Sequence, residues 1–423
     1  MLCCGAQQID ITPPVGTKMG GYGAREGNSA GIHDPLYAQA LYLSDADSEI
    51  LLIGLDLLAV DADFTQQLRS EITNLTGIAP DGILVACTHT HSGPDGFASL
   101  FSRQNQAQFA QLRAHTIQKV AGAALWAKND AQQDASVSFW REKIDGVGTN
   151  RNDTSYPNDA DLSLIRIDVA GKPYALIAHY GCHPTVMGAD NLLISADLPG
   201  SARKYLHKLY PDVVTLYFNG GAGDVSTRFT RRDQGFAELD RFGQIVFGGM
   251  LTAMHKALPL DVNRLRSIMR LVRLPVRDLP SVEEAHKILH EYEDHYHQVK
   301  QSQVPAGQVR VAETKVQGAR RQVTLASLLE DTQAVTTEIQ AISIGELVLV
   351  SIPGEPYAEI GLTLKADFPG RPVLMVSYAN DYQGYFPMGT SGETYETLKS
   401  PWAPDIGRSL VASMEHIIHE LID

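Results

Sequence analysis

The chain has 423 residues, 44% of them hydrophobic and 20% charged, a formal net charge of -14 and a pI near 5.4. A chain of this length and composition buries a large core, and its negative balance disfavours nucleic acid or an anionic bilayer as partner, leaving a small molecule as the expected one. No apolar run is long enough to cross a bilayer, the N-terminus lacks a basic n-region and an apolar h-region, and the four cysteines (Cys3, Cys4, Cys87, Cys182) are too few for a disulfide framework; a cytoplasmic chain with no transmembrane segment is expected.

In chain order, strands are predicted at Pro35 to Leu43 and Glu49 to Asp56, a helix from about Ala62 to Leu75, a strand at Ile83 to Thr88 and a long helix from about Asn105 to Lys128. Leu162 to Val169 and Ala175 to Tyr180 read as a hairpin turning at Gly171-Lys172-Pro173. Helix, strand and helix follow at about Leu198 to Leu209, Val213 to Asn219 and Ala237 to Lys256. The polar stretch 281–331 reads as a projecting helical pair interrupted near Pro305. Strands return at Thr336 to Ser343, Leu347 to Ile352 and Val373 to Tyr378, with helices at about Tyr357 to Lys365 and Ile406 to Ile422. The alternation predicts a layered α/β architecture, helices flanking a mixed β-sheet core. No repeat at a fixed period and no linker interrupts the chain, so residues 1–423 are expected to form one catalytic domain.

In such folds, ligands gather where strands end, because loops and helix N-termini converge there. Four apolar runs end in residues suited to that role. Ile83 to Thr88 runs into His89 and His91; Ala175 to Tyr180 is followed by His183; Leu347 to Ile352 leads through Pro353-Gly354 to Glu355; and Val373 to Tyr378 is followed by Asn380, Tyr382 and Tyr385. Two imidazoles and a carboxylate make the three-ligand set of an open catalytic zinc site, with a phenol oxygen as a further contact. A fifth strand end, Asn219-Gly-Gly-Ala-Gly-Asp-Val-Ser226, has glycines that admit close backbone approach. It lacks the last glycine and the acidic strand end of a dinucleotide fingerprint, and the spacing of a Gly-x-Ser-x-Gly elbow.

Taken together, Thr88-His89-Thr90-His91-Ser92-Gly93-Pro94, His183-Pro184-Thr185, Gly223-Asp224-Val225-Ser226, Pro353-Gly354-Glu355, Asn380-x-Tyr382-x-x-Tyr385 and Tyr395-Glu396 resemble the catalytic domain of the neutral ceramidases, as do Asp10 to Pro13, Gly20-Gly21-Tyr22 and Gly31-Ile32-His33 near the N-terminus. The resemblance implies zinc held by His89, His183, Glu355 and Tyr385, with His91 beside the metal acting on the substrate. It implies that Arg151 holds the substrate carbonyl or its oxyanion, that Ser226 is a nucleophile or a positioning hydroxyl, and that Tyr395 lies near the scissile amide. The implied reaction is hydrolysis of an N-acyl amide to an amine and a fatty acid. Where this chain departs from the family, Phe386-Pro387-Met388 follows the implied ligand tyrosine, Thr227-Arg228 follows Ser226, and no C-terminal β-sandwich sequence appears.

The residue types suit that chemistry on their own account: a Lewis acid polarises the amide carbonyl or lowers the pKa of a bound water to about 7, and an imidazole protonates the departing nitrogen. Alternatives are a metal-dependent ester or phosphoester hydrolase acting on a small anionic substrate, with Arg228, Arg231 and Arg232 nearby, and a non-catalytic metal- or ligand-binding protein. Assembly into a homo-oligomer is left open. Blander readings apply elsewhere. His179 is expected in the core, Cys87 and Cys182 as small packing residues, and His286, His290, Glu293 and His297 on a solvated helix. Asp56, Asp95, Asp197 and Asp224 all lie at strand ends or loop starts near the site; one is a candidate acceptor for a ligand histidine, and each also suits a helix cap or turn.

Overall fold

The computed structural model describes residues 1–98, 106–302, 304, 306–389, 392, 394–403 and 405–423. Asn105 and Pro305, where a helix start and a helix break are predicted, lie outside the described residues. The fold is mixed α/β with helices packed on several sheets, as the alternation of elements predicts.

One pattern of pairing organises it. In the first sheet, Cys3–Asp10 pairs antiparallel with Tyr37–Ser44, which pairs antiparallel with Glu49–Leu55, which pairs parallel with Ile83–Cys87. A parallel pair needs a crossover, here the helix Ala62–Thr76, started by Asp61 accepting from Phe64 N and ended by left-handed Gly77. The second sheet repeats the order with Ser136–Lys143, Asp161–Val169, Lys172–Tyr180 and Val214–Asn219, crossing through the helix Asp197–Leu209. The third repeats it with Leu265–Pro275, Ala334–Ile344, Leu347–Ser351 and Val373–Val376, crossing through Ala358–Asp367. A long helix follows each unit: Gln106–Asn129, Phe236–Lys256 and Ile406–Ile422. The chain is thus three copies of one connectivity, which no fixed sequence period reveals. The predicted hairpin turns through Ala170 and Gly171, both at positive φ (51° and 71°), as a two-residue turn matching strand twist requires.

Period-two alternation gives each sheet two apolar faces. The inner faces meet in one shared core, with Leu41, Leu52 and Leu84 from the first sheet, Ile165, Ile177 and Leu216 from the second, and Ile342, Leu349 and Leu374 from the third, all fully buried. The outer faces are covered by the helices. Strands Cys3–Asp10, Ser136–Lys143 and Leu265–Pro275 escape the sequence patterns above; each is the first strand of its unit and carries polar or exposed positions, as when Leu271 stands 75% exposed. The stretch 281–331 holds two helices, Val282–Gln301 and Ala306–Leu328. Gly318 of the second lies so close to the short helix Tyr395–Lys399 that a Cβ would sit 3.1 Å from Leu398. Among the described residues, no helix is long and apolar enough to cross a membrane.

The first and second units are joined by a buried ion pair. Arg203 of the crossover helix places Nη2 2.6 and 2.5 Å from the two carboxylate oxygens of Asp56, at the end of Glu49–Leu55. Burial pushes the Asp56 carboxyl up, and Arg203 opposes that shift. Arg203→Ala is expected to lower stability by about 3–5 kcal/mol by stranding a buried carboxylate, read as a fall in the denaturant midpoint. An unchanged midpoint would show that the pair does not hold the units together.

Candidate metal and catalytic site

The repeated connectivity brings equivalent loops to one end of the three sheets. Fourth strands lead into His89 and His91, into Ala222 to Ser226, and into Tyr378 to Tyr385; third strands of the second and third units lead into His183 and Glu355. The structure brings together every residue implied as a ligand or catalytic group, though by different kinds of contact.

His89 and His183 are fully enclosed, and each Nδ1 faces a backbone carbonyl: His89 toward Leu58 O at 2.7 Å, His183 toward Ala222 O at 2.5 Å. A carbonyl only accepts, so Nδ1 carries a hydrogen in both rings, and in a neutral ring Nε2 is then the lone-pair nitrogen. Those two nitrogens face one carboxylate oxygen, Glu355 Oε2, at 3.4 and 2.9 Å. His183 Nε2 and Glu355 Oε2 nevertheless have no hydrogen-bond partner, because two acceptors aimed at the same point cannot bond each other. A cation between its members would satisfy them. His91 joins it, with Nε2 3.2 Å from His89 Nε2, and the three imidazoles form a group whose ligand atoms lie within 4.8 Å of one another. The donor set of imidazole nitrogens and a carboxylate oxygen fits a divalent metal ion.

Protonation states agree with that fit. Burial, reinforced by the Arg151 charge, lowers His183 to about 4 and leaves it neutral. Burial raises Glu355, whereas positive charge placed at the His89 and His183 rings drives the carboxyl well below its ordinary range, the direction in which a bound cation would also drive it. Tyr382 donates its hydroxyl to Glu355 Oε1, leaving Oε2 for the cluster. His89 has φ 68°, a left-handed backbone unusual for this residue type. Its ring is clamped flat on Tyr378 at 3.9 Å.

Tyr385 reaches the site because its short strand, Tyr385–Phe386, pairs parallel with Glu355–Pro356, setting Tyr385 opposite Glu355. Its hydroxyl accepts from Arg151 Nη2 at 3.2 Å. Arg151 is oriented by Glu396, whose Oε1 takes Arg151 Nε at 2.7 Å while Oε2 takes Asn152 Nδ2. Burial alone would lower the Arg151 pKa; Glu396 and Tyr385 reverse this and keep the guanidinium charged. That guanidinium lies 5.6 Å from the Tyr385 ring and 5.7 Å from the Tyr395 ring. Tyr395 meets Tyr385 edge-on and also contacts the Lys399 ammonium. Ser226 sits beside His183 through a backbone bridge and opposite Thr149 in the strand pair that leads to Arg151. Its Oγ accepts from Arg228 N at 3.3 Å, and among the described residues no imidazole or carboxylate bonds it.

One expectation is corrected. None of the four aspartates accepts from a ligand histidine: Asp56 pairs with Arg203, Asp95 with Lys18, Asp197 takes backbone amides of Val186, Met187 and Leu198, and Asp224 takes Ala358 N and Asn150 Nδ2. Backbone carbonyls fill that role. Asp224 is instead a buried carboxyl pushed up to about 7 by burial. His179 packs in the core, its Nε2 facing Met375 O at 2.7 Å. Arg228 and Arg231 donate to Arg151 O and Thr185 O, so both lie close to the site.

Two arginines and a tyrosine of the site escape sequence reasoning as functional residues. Arg25 spends its three donor positions on three carbonyls: Gly20 O at 2.6 Å, His91 O at 2.7 Å and Asn191 O at 3.1 Å. It lies over Tyr22, which donates to Met187 O and sets its ring 4.9 Å from the His91 ring. His91 Nδ1 is buried without a hydrogen-bond partner, so this loop, and no carboxylate, orients the imidazole. Gly20-Gly21-Tyr22 hints at the loop, whereas Arg25 carries no signal. Arg321, on Ala306–Leu328, lies within electrostatic range of Tyr382, Tyr395, Glu355 and Tyr385; in sequence its segment reads only as part of a polar, projecting helical pair. Arg25, Arg151 and Arg321 all come from the connection between the first and second strands of their units.

Buried imidazoles and a carboxylate converging at strand ends define a candidate metal centre in an α/β fold. Residues 3–230 match the N-terminal region characteristic of neutral/alkaline non-lysosomal ceramidases, and the chain belongs to that family. The neutral ceramidase of Mycobacterium tuberculosis is 23% identical over 456 aligned positions, covering 91% of this chain and 71% of that protein. Neutral ceramidase A of Dictyostelium discoideum is 28% identical, over 46% of this chain and 30% of its own length. In structure, the neutral ceramidase of Pseudomonas aeruginosa superposes with a TM-score of 0.76 at 19% identity, over 99% of this chain and 74% of that one. A ceramidase solved in complex with C2 superposes with the same score at 17% identity. These two share the fold.

Gly21 has φ 95°, and a Cβ there would sit 2.6 Å from the His91 ring. Gly21→Ala is expected to displace that imidazole and cut turnover by about 100-fold with metal content unchanged. Full activity in a folded Gly21→Ala protein would show that the loop does not orient His91.

Proposed function

We propose that the chain is a zinc-dependent hydrolase that cleaves an N-acyl amide, with residues 1–423 acting as one catalytic unit. The observation that carries this reading is the convergence of His89 Nε2 and His183 Nε2 on Glu355 Oε2 in a buried cluster, where His183 Nε2 and Glu355 Oε2 have no hydrogen-bond partner. Family membership supports the amide as substrate, as does the presence of Arg151, Ser226 and Tyr395 around the cluster.

His89, His183, Glu355 and Tyr385 would hold the ion. Bound zinc supplies Lewis acidity at the amide carbonyl and makes an attacking water available near neutral pH. The remaining work falls to the chain's own side chains. His91 is neutral, because burial with His89 and His183 beside it draws its imidazole well below the ordinary range. A neutral imidazole facing the site takes the proton released as water adds to the carbonyl carbon, then passes it to the nitrogen as the C–N bond breaks. Arg151, fixed by Glu396, and the Tyr395 hydroxyl bind the oxyanion of the tetrahedral intermediate, each contributing about 2.7–4 kcal/mol if preorganised. Among the described residues no base bonds Ser226, which serves as a positioning hydroxyl. The core shared by all three sheets supports treating the chain as one unit.

The test is hydrolysis of N-acyl amides of graded chain length, with matched esters and phosphoesters, by wild type and by His91→Ala. Amide cleavage with kcat reduced about 100- to 10,000-fold in His91→Ala, and with zinc retained, is the expected result. Cleavage of esters or phosphoesters without amides, or full activity in His91→Ala, would contradict the proposal.

A further inference from the structure

Outside the metal cluster, a cavity lies between the two helices of the third unit's first connection and the segment that follows Tyr385. Its volume is about 560 Å³, and none of its lining residues belongs to the metal cluster. Arg277 stands on one wall, two residues beyond the end of the strand Leu265–Pro275. The backbone there is pinned by a bridge between Val276 and Trp402 and by Arg277 N donating to Pro401 O at 2.9 Å. Ile288, Leu398 and Trp402 give the cavity an apolar side, and Tyr292, Gln322 and Thr397 give it hydroxyl and amide groups.

The charge in this wall is unbalanced. Arg277 makes one long contact, Nη2 to Leu398 O at 3.4 Å, and its Nε is buried with no hydrogen-bond partner. Among the described residues no carboxylate pairs with it. Burial draws its pKa down. Glu291 also borders the cavity, but its side chain is exposed at the rim. A half-buried guanidinium with spare donors beside an apolar wall is complementary to a ligand with a planar anion at one end and hydrocarbon at the other, since guanidinium and carboxylate match in a two-pronged hydrogen bond.

We propose that this cavity is a binding site for an amphiphilic carboxylate, its anion held by Arg277 and its hydrocarbon laid against Ile288, Leu398 and Trp402. The site is separate from the metal centre and does not depend on which bond the metal centre cleaves.

Octanoate is the probe, titrated by calorimetry into the full-length protein. Wild type and His89→Ala are expected to bind one equivalent with the same affinity, and Arg277→Met and Ile288→Trp, which puts an indole into the space beside the apolar wall, each to bind about tenfold or more weakly. Arg277→Lys, which keeps the charge but not the fork, should fall between wild type and Arg277→Met. Thermal unfolding establishes that each variant is folded, and Ile288→Trp decides the matter if Arg277→Met is not. No saturable binding to wild type, undiminished binding to folded Arg277→Met or Ile288→Trp, or binding abolished by His89→Ala would each overturn the proposal, the last by locating octanoate at the metal centre.

Discussion

Two hydrogen bonds from imidazoles to backbone carbonyls fix the chemistry of this molecule. With His89 Nδ1 bound to Leu58 O and His183 Nδ1 bound to Ala222 O, neither ring can turn its proton toward the centre, and both lone pairs are committed to the space beside Glu355. Without a cation, that arrangement places acceptor against acceptor in a dehydrated pocket, where polar groups left unpaired cost several kcal/mol. A metal ion would convert the same geometry from a liability into a ligand field. The carbonyls set ring orientation and tautomer, the role a carboxylate fills in many metal sites, without adding another negative charge to a buried cluster that already contains Glu355.

The fold supplies this convergence by repetition. Each sheet ends its third and fourth strands at the same end of the molecule, and the inner faces of all three share one core. The loops therefore emerge from rigid, mutually packed strands, which hold side chains from distant parts of the sequence in a fixed mutual geometry. The units have diverged in what they deliver. The first supplies His89 and His91, the second His183 and the serine loop, and the third Glu355 and Tyr385. The first connection in each unit carries an arginine to the periphery, and the three act differently. Arg25 ties backbone segments together behind His91, Arg151 stands charged against Tyr385 and Tyr395, and Arg321 arrives on a helix.

Much of the site is legible in the sequence because its members follow apolar runs. His89, His183 and Glu355 each come a few residues after a buried strand, and a polar residue able to bind metal at such a position stands out. Tyr385 is legible through its motif, and Arg151, Ser226 and Tyr395 through resemblance alone. What cannot be read has a physical reason in each case. A backbone carbonyl that orients a ring, such as Leu58 O or Ala222 O, has no side-chain signature. Arg25 acts through carbonyls from three segments that are close only in the folded chain. The first strands of the units are half-exposed, so Cys3–Asp10 and Leu265–Pro275 lack the apolar run that marks a buried strand. Shared connectivity likewise leaves no trace when pairing is specified by burial and not by identity of residues.

The central claim, that the His89, His183 and Glu355 cluster is a metal centre, is tested most directly by zinc content of the purified protein, before and after chelation and reconstitution, for wild type and for Glu355→Gln. The account predicts about one zinc per chain in wild type, restored after chelation, and largely lost in a folded Glu355→Gln protein. A folded wild-type chain that takes up no divalent metal at micromolar concentrations, or a Glu355→Gln protein that binds zinc as tightly as wild type, would contradict it.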